Sequence, residues 1–350
     1  MQMASTETDR TDVLVLGCGV SGLTTAIRLI EQQREQGQCR VTIWARKVPP
    51  DTTSNIAAAV WYPYDAGSNE RAVKWGAIAY KTFGELAGAP GSGVITRNVL
   101  ELLSEPNPDG PWWKASVPDV EHARPDELPA GYADGFVFDA PVIDTSVYLN
   151  YLRSRFEAAG GLIVENRTVH DLSEAFAVCG VVVNCTGLGA RELVHDTAFR
   201  PTRGQVVRVK HNGFTRVLID DHGPKADPYT QERLAYIVPR INDIILGGTA
   251  IADDITADDE IKQKIDSNEV QAIIRRCAAL APEFENLTPD DILEVKIGLR
   301  PVRSDVRLER ESPAPGRWLI SNYGHGGAGV TLSWGCAAEV AELLEAIDKL

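Results

Sequence analysis

The 350-residue chain is short of basic charge: 35 Lys and Arg stand against 49 Asp and Glu, a formal net charge of -14. Neutralising phosphates or an anionic bilayer needs clustered cations, so neither a nucleic-acid partner nor a membrane partner is expected. No apolar run approaches the roughly 20 residues that span a bilayer. The six cysteines (Cys18, Cys39, Cys179, Cys185, Cys277, Cys336) never fall as C-x-x-C, which suits reduced, buried thiols in a cytosolic protein. The six histidines (His122, His170, His195, His211, His222, His325) show no ligand spacing, so no metal is expected. There is no G-x-S-x-G, and hence no serine-hydrolase elbow. Internal repeats and low-complexity segments are also missing. The stretch Met1 to Thr11 is polar without an apolar core and reads as a frayed leader rather than a signal peptide. The final Asp348-Lys349-Leu350 resembles a peroxisomal Ser-Lys-Leu address but starts with an acid, so the cytoplasm is the expected compartment. A globular chain of this length holds two domains at about 150 residues each and is expected to bind a small molecule.

What is present begins with an apolar strand, Val13 to Leu16, running straight into Gly17-Cys18-Gly19-Val20-Ser21-Gly22. Leu23, Ala26, Ile27 and Ile30 follow at helical offsets, Gly37 closes the helix, and Val41 to Trp44 is the next strand. In a strand–turn–helix unit the three glycines have separate tasks: a tight turn, close approach of backbone to a pyrophosphate, and close helix-to-strand packing. The helix N-terminus adds unpaired N–H groups and partial positive charge. Together these predict dinucleotide binding. The acid expected about 20 positions on, which would hold ribose hydroxyls, is replaced by Arg46-Lys47. Arg46 could meet a phosphate instead, which keeps an NADP-binding reductase open; otherwise this pair is a solvated basic strand end.

Further along, periodicity weakens from Trp61 to Pro141, with Pro, Gly and Asp gathering in Ser104–Val117 and Arg124–Tyr132, as in a second domain or long loops over a site. Tyr148, Leu149, Leu152 and Phe156 mark a helix with Asp144 or Thr145 as N-cap. Gly180 to Asn184 is a buried strand. Val206 to Lys210 alternates as a strand, and Ala235–Pro239 with Asp243–Gly247 forms a hairpin around Arg240-Ile241-Asn242. Two helices are predicted next, one through Asp258 to Leu280 and one started by Thr288 with Pro289 at its first position. A strand Trp318 to Ser321 then enters Gly324-His325-Gly326-Gly327-Ala328-Gly329, and a C-terminal helix carries Leu332, Cys336, Val340 and Leu343.

This second glycine cluster also joins strand to helix, so it presents backbone at close range to a flat ligand, and a helix N-terminus there would stabilise a reduced flavin ring. His325 within it reads as structural. Gly298-Leu299-Arg300-Pro301-Val302-Arg303 places two guanidiniums before a strand at Asp305–Leu308, and a guanidinium is a fixed fork for a carboxylate.

These stretches resemble the D-amino-acid oxidase family, which includes the D-aspartate oxidases, over nearly the whole chain. The resemblance is carried by Val15 to Leu23, Thr52-Thr53-Ser54 through Trp61-Tyr62-Pro63-Tyr64, Val183 to Gly187, Arg203-Gly204-Gln205, Tyr236 to Pro239, Gly298 to Arg303 and Asn322 to Gly327. It implies that Arg300 binds the substrate carboxylate, that the Tyr236 hydroxyl assists, and that the Gly327 carbonyl accepts from the substrate amine. It also implies that FAD is held by Gly17, Gly19, Val20, Ser21, Gly22, Arg46, Lys47, Thr52, Thr53, Ser54, Ala57, Ala58, Val169, Thr186, Gly187, Arg300, Gly324, Gly326, Gly327, Ala328, Gly329, Val330 and Thr331, with Thr52 and Thr53 near the phosphates and Val169 on the adenine. Two departures stand out: the missing acid at Arg46, and Glu232 where the animal enzymes carry a second active-site tyrosine. The loop Asp220–Leu234 is also longer, and the charge of Glu232 is expected to favour neutral or basic substrates over D-aspartate.

The expectation is therefore an α/β flavoprotein with a Rossmann-type FAD domain (1–60, 142–202, 299–350) interleaved with a mainly antiparallel-sheet substrate domain (61–141, 203–298). The implied reaction oxidises a D-amino acid with FAD and oxygen to a 2-oxo acid, ammonia and hydrogen peroxide, by hydride transfer from Cα. A glycine or secondary-amine oxidase of the same fold is the alternative within this chemistry, the NADP-binding reductase and a ligand-binding module without turnover are the ones outside it, and a homodimer is left open.

Overall fold

The computed structural model describes residues 11–36, 39–64, 69–221, 233–252 and 264–347. Strand β1 (Thr11–Leu16) turns into helix α1 (Val20–Gln36) and returns as β2 (Cys39–Trp44). Leu23, Ala26, Ile27 and Ile30 are all buried, the single apolar face their spacing requires; Gly37 lies outside the described residues. Helix α2 (Glu70–Ala87) precedes β3 (Val94–Leu103), β4 (Glu121–His122) and β5 (Asp134–Ile143). Helix α3 (Thr145–Ala158), β6 (Leu162–Val164), α4 (Leu172–Phe176), β7 (Val181–Asn184) and the single turn α5 (Ala190–Leu193) come next. Then follow β8 (Arg200–Lys210), β9 (Val217–Asp220), β10 (Ala235–Pro239), β11 (Asp243–Gly247) and β12 (Ile251–Ala252). Helix α6 (Ser267–Leu280), β13 (Ile292–Ala314), β14 (Arg317–His325) and α7 (Gly329–Glu345) complete the path.

The expected α/β architecture is borne out. Strands β14, β7, β1, β2 and β6 lie side by side and all run parallel. Such strands are covered on both faces and so read as continuous apolar runs. Along β1, Val13 and Val15 face the core shared with α1 and α7, while Leu14 and Leu16 pack with Ala175 and Phe176 of α4. The other half runs β4-β5-β3-β9-β10-β11-β8-β13, antiparallel except between β3 and β9. One of its faces carries Leu100, Leu218, Ile237, Leu246 and Val209 against Val270, Ile273 and Cys277 of α6. Its other face looks toward the parallel half.

One strand joins the halves. β13 pairs antiparallel with β8 from Ile292 to Val302 and with β14 from Val302 to Ala314. Arg300 therefore sits two residues before the changeover, where the two halves of the sheet meet.

The sequence expectations differ from the structure in two places. Asn69 caps α2 by accepting from the Ala72 amide at 2.9 Å, so a full helix and the long β3–β5 pair occupy the stretch where periodicity looked weak. Thr288-Pro289 starts only a 3-10 turn, Pro289–Asp291, because Ile292, Val295 and Ile297 continue as a strand paired to β8. Helix α6 is described from Ser267, capped by Asp266; residues 253–263 of the predicted segment lie outside the described residues. Among the described thiols Cys18, Cys185, Cys277 and Cys336 are buried and free, and Cys179 is half-buried and free. Among the described residues no helix is long and apolar enough to cross a membrane.

Candidate active site

A cavity of about 930 Å³ runs along the junction of the two halves, near the top of the roughly 300–1,000 Å³ range of ligand sites. At one end lies the β1–α1 turn. Gly17 has φ +103°, and a Cβ there would lie 2.5 Å from the Cys185 carbonyl oxygen, so only glycine permits the turn. At Gly22 a Cβ would fall 2.0 Å from the Gly17 oxygen; this residue does not line the cavity and instead lets α1 close on the turn. The Val20 amide donates to Ser54 Oγ at 3.0 Å, tying the helix start to the Thr53–Ile56 turn.

Gly19, Val20, Ser21, Thr52, Thr53, Ser54, Ala57 and Ala58 all line this cradle. Arg46 and Lys47 at the end of β2 stand on its wall, as do Val169, Thr186 and Gly187 farther along. On the opposite side Gly326, Gly327, Gly329, Val330 and Thr331 line the cavity. The first turn of α7 has no side-chain cap, which leaves its amides for a ligand. Two members of the second glycine cluster fall elsewhere. A Cβ on Gly324 would lie 2.9 Å from Arg303 Cδ, so its backbone is turned to that side chain; Ala328 is fully buried in the core as the residue before α7. His325 lines the cavity but is buried, with Nε2 3.0 Å from Asn322 Oδ1 and Nδ1 3.5 Å from Ser21 Oγ, and burial lowers its pKa to about 4, so the ring is neutral.

At the far end the polar groups converge. Arg300 Nη1 donates to the Thr249 carbonyl at 2.8 Å, and its guanidinium lies 5.9 Å from the centroid of the Tyr64 ring. The Tyr236 hydroxyl hydrogen-bonds Arg300, and burial raises its pKa, which keeps the phenol protonated. Gly327 sits directly under Tyr64, with room for no Cβ: one would meet Cδ1 at 2.5 Å. Arg300, Tyr236 and Gly327 thus share one end of the cavity with Tyr62, Tyr64, Ile219 and Leu234. The segment bearing Tyr62 and Tyr64 is anchored by Trp61, fully buried, edge-on to Tyr80 and Trp113 at 5.4 and 5.7 Å and donating to the Gly76 carbonyl at 3.1 Å. Such ring pairs are worth about 0.5–1.5 kcal/mol each beyond burial. Arg303, the second guanidinium of the Arg300 motif, points elsewhere: its Nε donates to Asp196 at 3.1 Å in a network with Arg307 and Tyr323.

Several members of this end were not singled out from the sequence. Thr249 acts through a backbone carbonyl and left no signal. Glu101, which lies behind this end and accepts from the Tyr62 hydroxyl at 2.7 Å, was discoverable as a lone acid in Val99-Leu100-Glu101-Leu102-Leu103. Glu232 lies outside the described residues.

A parallel Rossmann-type sheet with a glycine cradle, joined by one cavity to a compact polar pocket on an antiparallel sheet, defines a dinucleotide-dependent oxidoreductase. The chain belongs to the FAD dependent oxidoreductase family, whose profile matches residues 12–343. It is 44% identical over 330 residues to the D-amino-acid oxidase of Rubrobacter xylanophilus, covering 94% of both chains. It is 39% identical over 337 residues to that of Dictyostelium discoideum, covering 95% of this chain and 91% of the relative. Among solved structures, glycine oxidase from Geobacillus kaustophilus aligns with a TM-score of 0.75 at 18% identity, over 97% and 95% of the two chains; this likeness is one of fold. The cofactor is accordingly FAD, and the cradle fits it: the close-packed glycines, the basic residues on the wall and the uncapped α7 terminus match a pyrophosphate followed by a flat ring.

Proposed function

We propose that the protein is a D-amino-acid oxidase, converting a D-amino acid, oxygen and water to a 2-oxo acid, ammonia and hydrogen peroxide. The observation that carries this reading is the convergence of Arg300, Tyr236 and Gly327 at one end of the cavity. The relatives named D-amino-acid oxidase, matched over nearly the whole chain, support it. The glycine-oxidase likeness supports the fold alone, and a family described as FAD dependent leaves the NADP-binding reductase without support.

In this reading Arg300 and the Tyr236 hydroxyl hold the substrate carboxylate, a charge-assisted pairing whose strength grows with exclusion of water. The Gly327 carbonyl accepts from the amine. These attachment points fix which Cα substituent faces the cofactor, and the enantiomer would turn its hydrogen away. FAD, when bound, would supply the hydride acceptor and the route for the electrons to oxygen. No side-chain base is required once the amine is neutral, in keeping with a protonated Tyr236 and a neutral, buried His325. The cradle residues Gly17 to Ser21, Arg46, Lys47 and Thr52 to Ser54 would hold the pyrophosphate and ribose, Val169 the adenine, and Gly326 to Thr331 the ring end.

The same reading divides the chain into an FAD domain (1–60, 142–202, 299–350) and a substrate domain (61–141, 203–298); the proposed compartment is the cytoplasm, and a homodimer is compatible with it. The test is to record the visible spectrum of the purified protein and follow peroxide release over D- and L-amino acids, glycine and sarcosine. Flavin absorbance with D-selective peroxide is expected. Activity confined to glycine or sarcosine would overturn the substrate assignment. In Arg300→Ala, kcat/KM should fall by about 100-fold or more with FAD still bound, the scale of losing a buried charge pair; unchanged kinetics would overturn the role given to Arg300.

A further inference from the structure

Across the sheet that floors the pocket a row of residues stands opposite one another: Lys296, Val206, Tyr236, Ile219 and, over the parallel β9–β3 pair, Glu101, with Gly247 between Val206 and Tyr236. Side chains opposite one another in a sheet project from the same face. Lys296, Val206, Tyr236 and Ile219 line the cavity; Glu101, the next residue in the row, projects from the same face but does not itself line the cavity, lying behind the Tyr62 hydroxyl. Its neighbours Leu100 and Leu102 turn into the core beneath α6.

Glu101 is only 6% exposed. Its Oε1 accepts from the Tyr62 hydroxyl at 2.7 Å, and the same hydroxyl lies 3.1 Å from Asp221 Oδ2. Tyr62 lines the cavity and so stands between the two carboxyls and a ligand. The other carboxyl oxygen of Glu101, Oε2, is buried and has no hydrogen-bond partner among the described residues. A phenol has one proton to give. Among the described residues, contacts to two carboxyls therefore leave this cluster short of positive charge, to be met by an added proton or a nearby cation. Burial agrees, pushing the Glu101 carboxyl up to about 7.

The distance suits a long side chain. Glu101 is two strands from Tyr236, on the order of 10 Å at the usual strand spacing. A substrate held at Arg300 and Tyr236 by its α-carboxylate would need about four side-chain atoms to approach Tyr62.

We propose that Tyr62, Glu101 and Asp221 form the side-chain end of the substrate pocket and select D-amino acids with a cationic side chain, of the D-lysine and D-arginine class, over those ending in a carboxylate. The inference rests on the D-amino-acid reading above. A terminal ammonium or guanidinium supplies the charge that the Glu101–Tyr62–Asp221 cluster lacks, whereas D-glutamate would bring a third carboxylate to a poorly solvated corner. Arg300 cannot relieve that repulsion, since it is engaged by the α-carboxylate.

The holoenzyme is assayed for kcat/KM on D-lysine, on D-norleucine, which has the same chain without the ammonium, and on D-glutamate. D-lysine should exceed D-norleucine by about ten-fold, with D-glutamate the poorest, and the lysine-to-norleucine ratio should fall by about ten-fold in Glu101→Gln. Flavin content per protein shows that the near-isosteric variant has folded, and Tyr62→Phe should lower the same ratio. D-norleucine preferred over D-lysine, or a ratio unmoved by both variants, would overturn the inference while leaving D-amino-acid oxidation standing. Flavin-loaded protein that turns over no D-amino acid would overturn both.

Discussion

Gly204 lies beneath the guanidinium of Arg300: a Cβ added there would be 2.7 Å from both Nη1 and Nη2. Gly204 pairs with Gly298 on β13, the adjoining Arg203 side chain is held in a buried pair with Glu269, and the Gln205 amide donates to Thr249 Oγ1 at 2.9 Å, so the backbone beneath Arg300 has little freedom to retreat. The overlap would be relieved by moving the far end of a flexible side chain, which costs little stability but displaces the group proposed to hold the substrate carboxylate. Gly204→Ala should therefore fold and bind FAD normally while losing on the order of 10- to 100-fold in kcat/KM, mostly through KM. Steady-state kinetics beside a melting curve checks this; a normal KM would show that Arg300 does not grip the carboxylate from this position.

The turn at the start of α1 works the other way, because there the colliding atoms are backbone. A Cβ on Gly22 would sit 2.0 Å from the Gly17 carbonyl oxygen, and neither atom belongs to a movable side chain. Gly22→Ala should force α1 away from β1 at a cost of about 1–3 kcal/mol and spoil the cradle that Gly17 and Val20 form. The expected result is protein purified with substoichiometric flavin. A full flavin-to-protein absorbance ratio would sink the assignment of this turn to the cofactor.

How much of this was legible depended on whether a residue acts through its own type or through its neighbours. The β1–α1–β2 unit was readable because glycine spacing, an unbroken apolar strand and a helical stripe agree locally. The hairpin of β10 and β11 was readable for the same reason. Helix α2 was not recognised, although Trp75, Ala79, Phe83 and Leu86 are buried on one face, because the Pro- and Gly-rich loops on either side dominated the pattern. At the site, Arg300, Tyr236 and Gly327 came from a family resemblance and not from periodicity. Thr249 and Gly247 matter through register and backbone direction, which only the folded strands reveal, and the lone acid Glu101 gains a neighbour at the site only through its pairing with Ile219.

Glu101 also sets a pH dependence of stability. Its carboxyl is raised from 4.5 to about 7, first by burial and then by Asp221, against a lowering by the Tyr62 hydrogen bond. The folded state thus binds a proton that the unfolded chain releases near pH 4.5, so this group's contribution is greatest below that pH and declines as pH rises through about 7. Glu101→Gln has no proton to lose. Its stability relative to the parent should improve between pH 5 and pH 8 by up to about 3 kcal/mol, measured as the difference in unfolding free energy of the two proteins at each pH. A pH-independent difference would mean that Glu101 is ionised throughout.

Helix α6 reaches the pocket without touching its contents. Arg276 is buried on that helix; its Nε donates to the Leu234 carbonyl at 2.9 Å and its Nη2 to the Gly248 carbonyl at 2.7 Å. Leu234 precedes the strand carrying Tyr236, and Gly248 precedes Thr249, whose carbonyl receives Arg300. One guanidinium therefore sets the separation of the two backbone segments that aim the proposed carboxylate clamp. Arg276→Met keeps the bulk and loses both hydrogen bonds, each worth about 1.5–3 kcal/mol when a charge is involved. The variant should melt earlier and show a raised KM with a smaller change in kcat, because substrate is held less well while the cofactor cradle is untouched. Arg276→Lys, which retains the charge and one of the contacts, should recover part of the KM. A variant that loses stability with KM unchanged would confine Arg276 to holding the fold and separate it from the positioning of Tyr236 and Arg300.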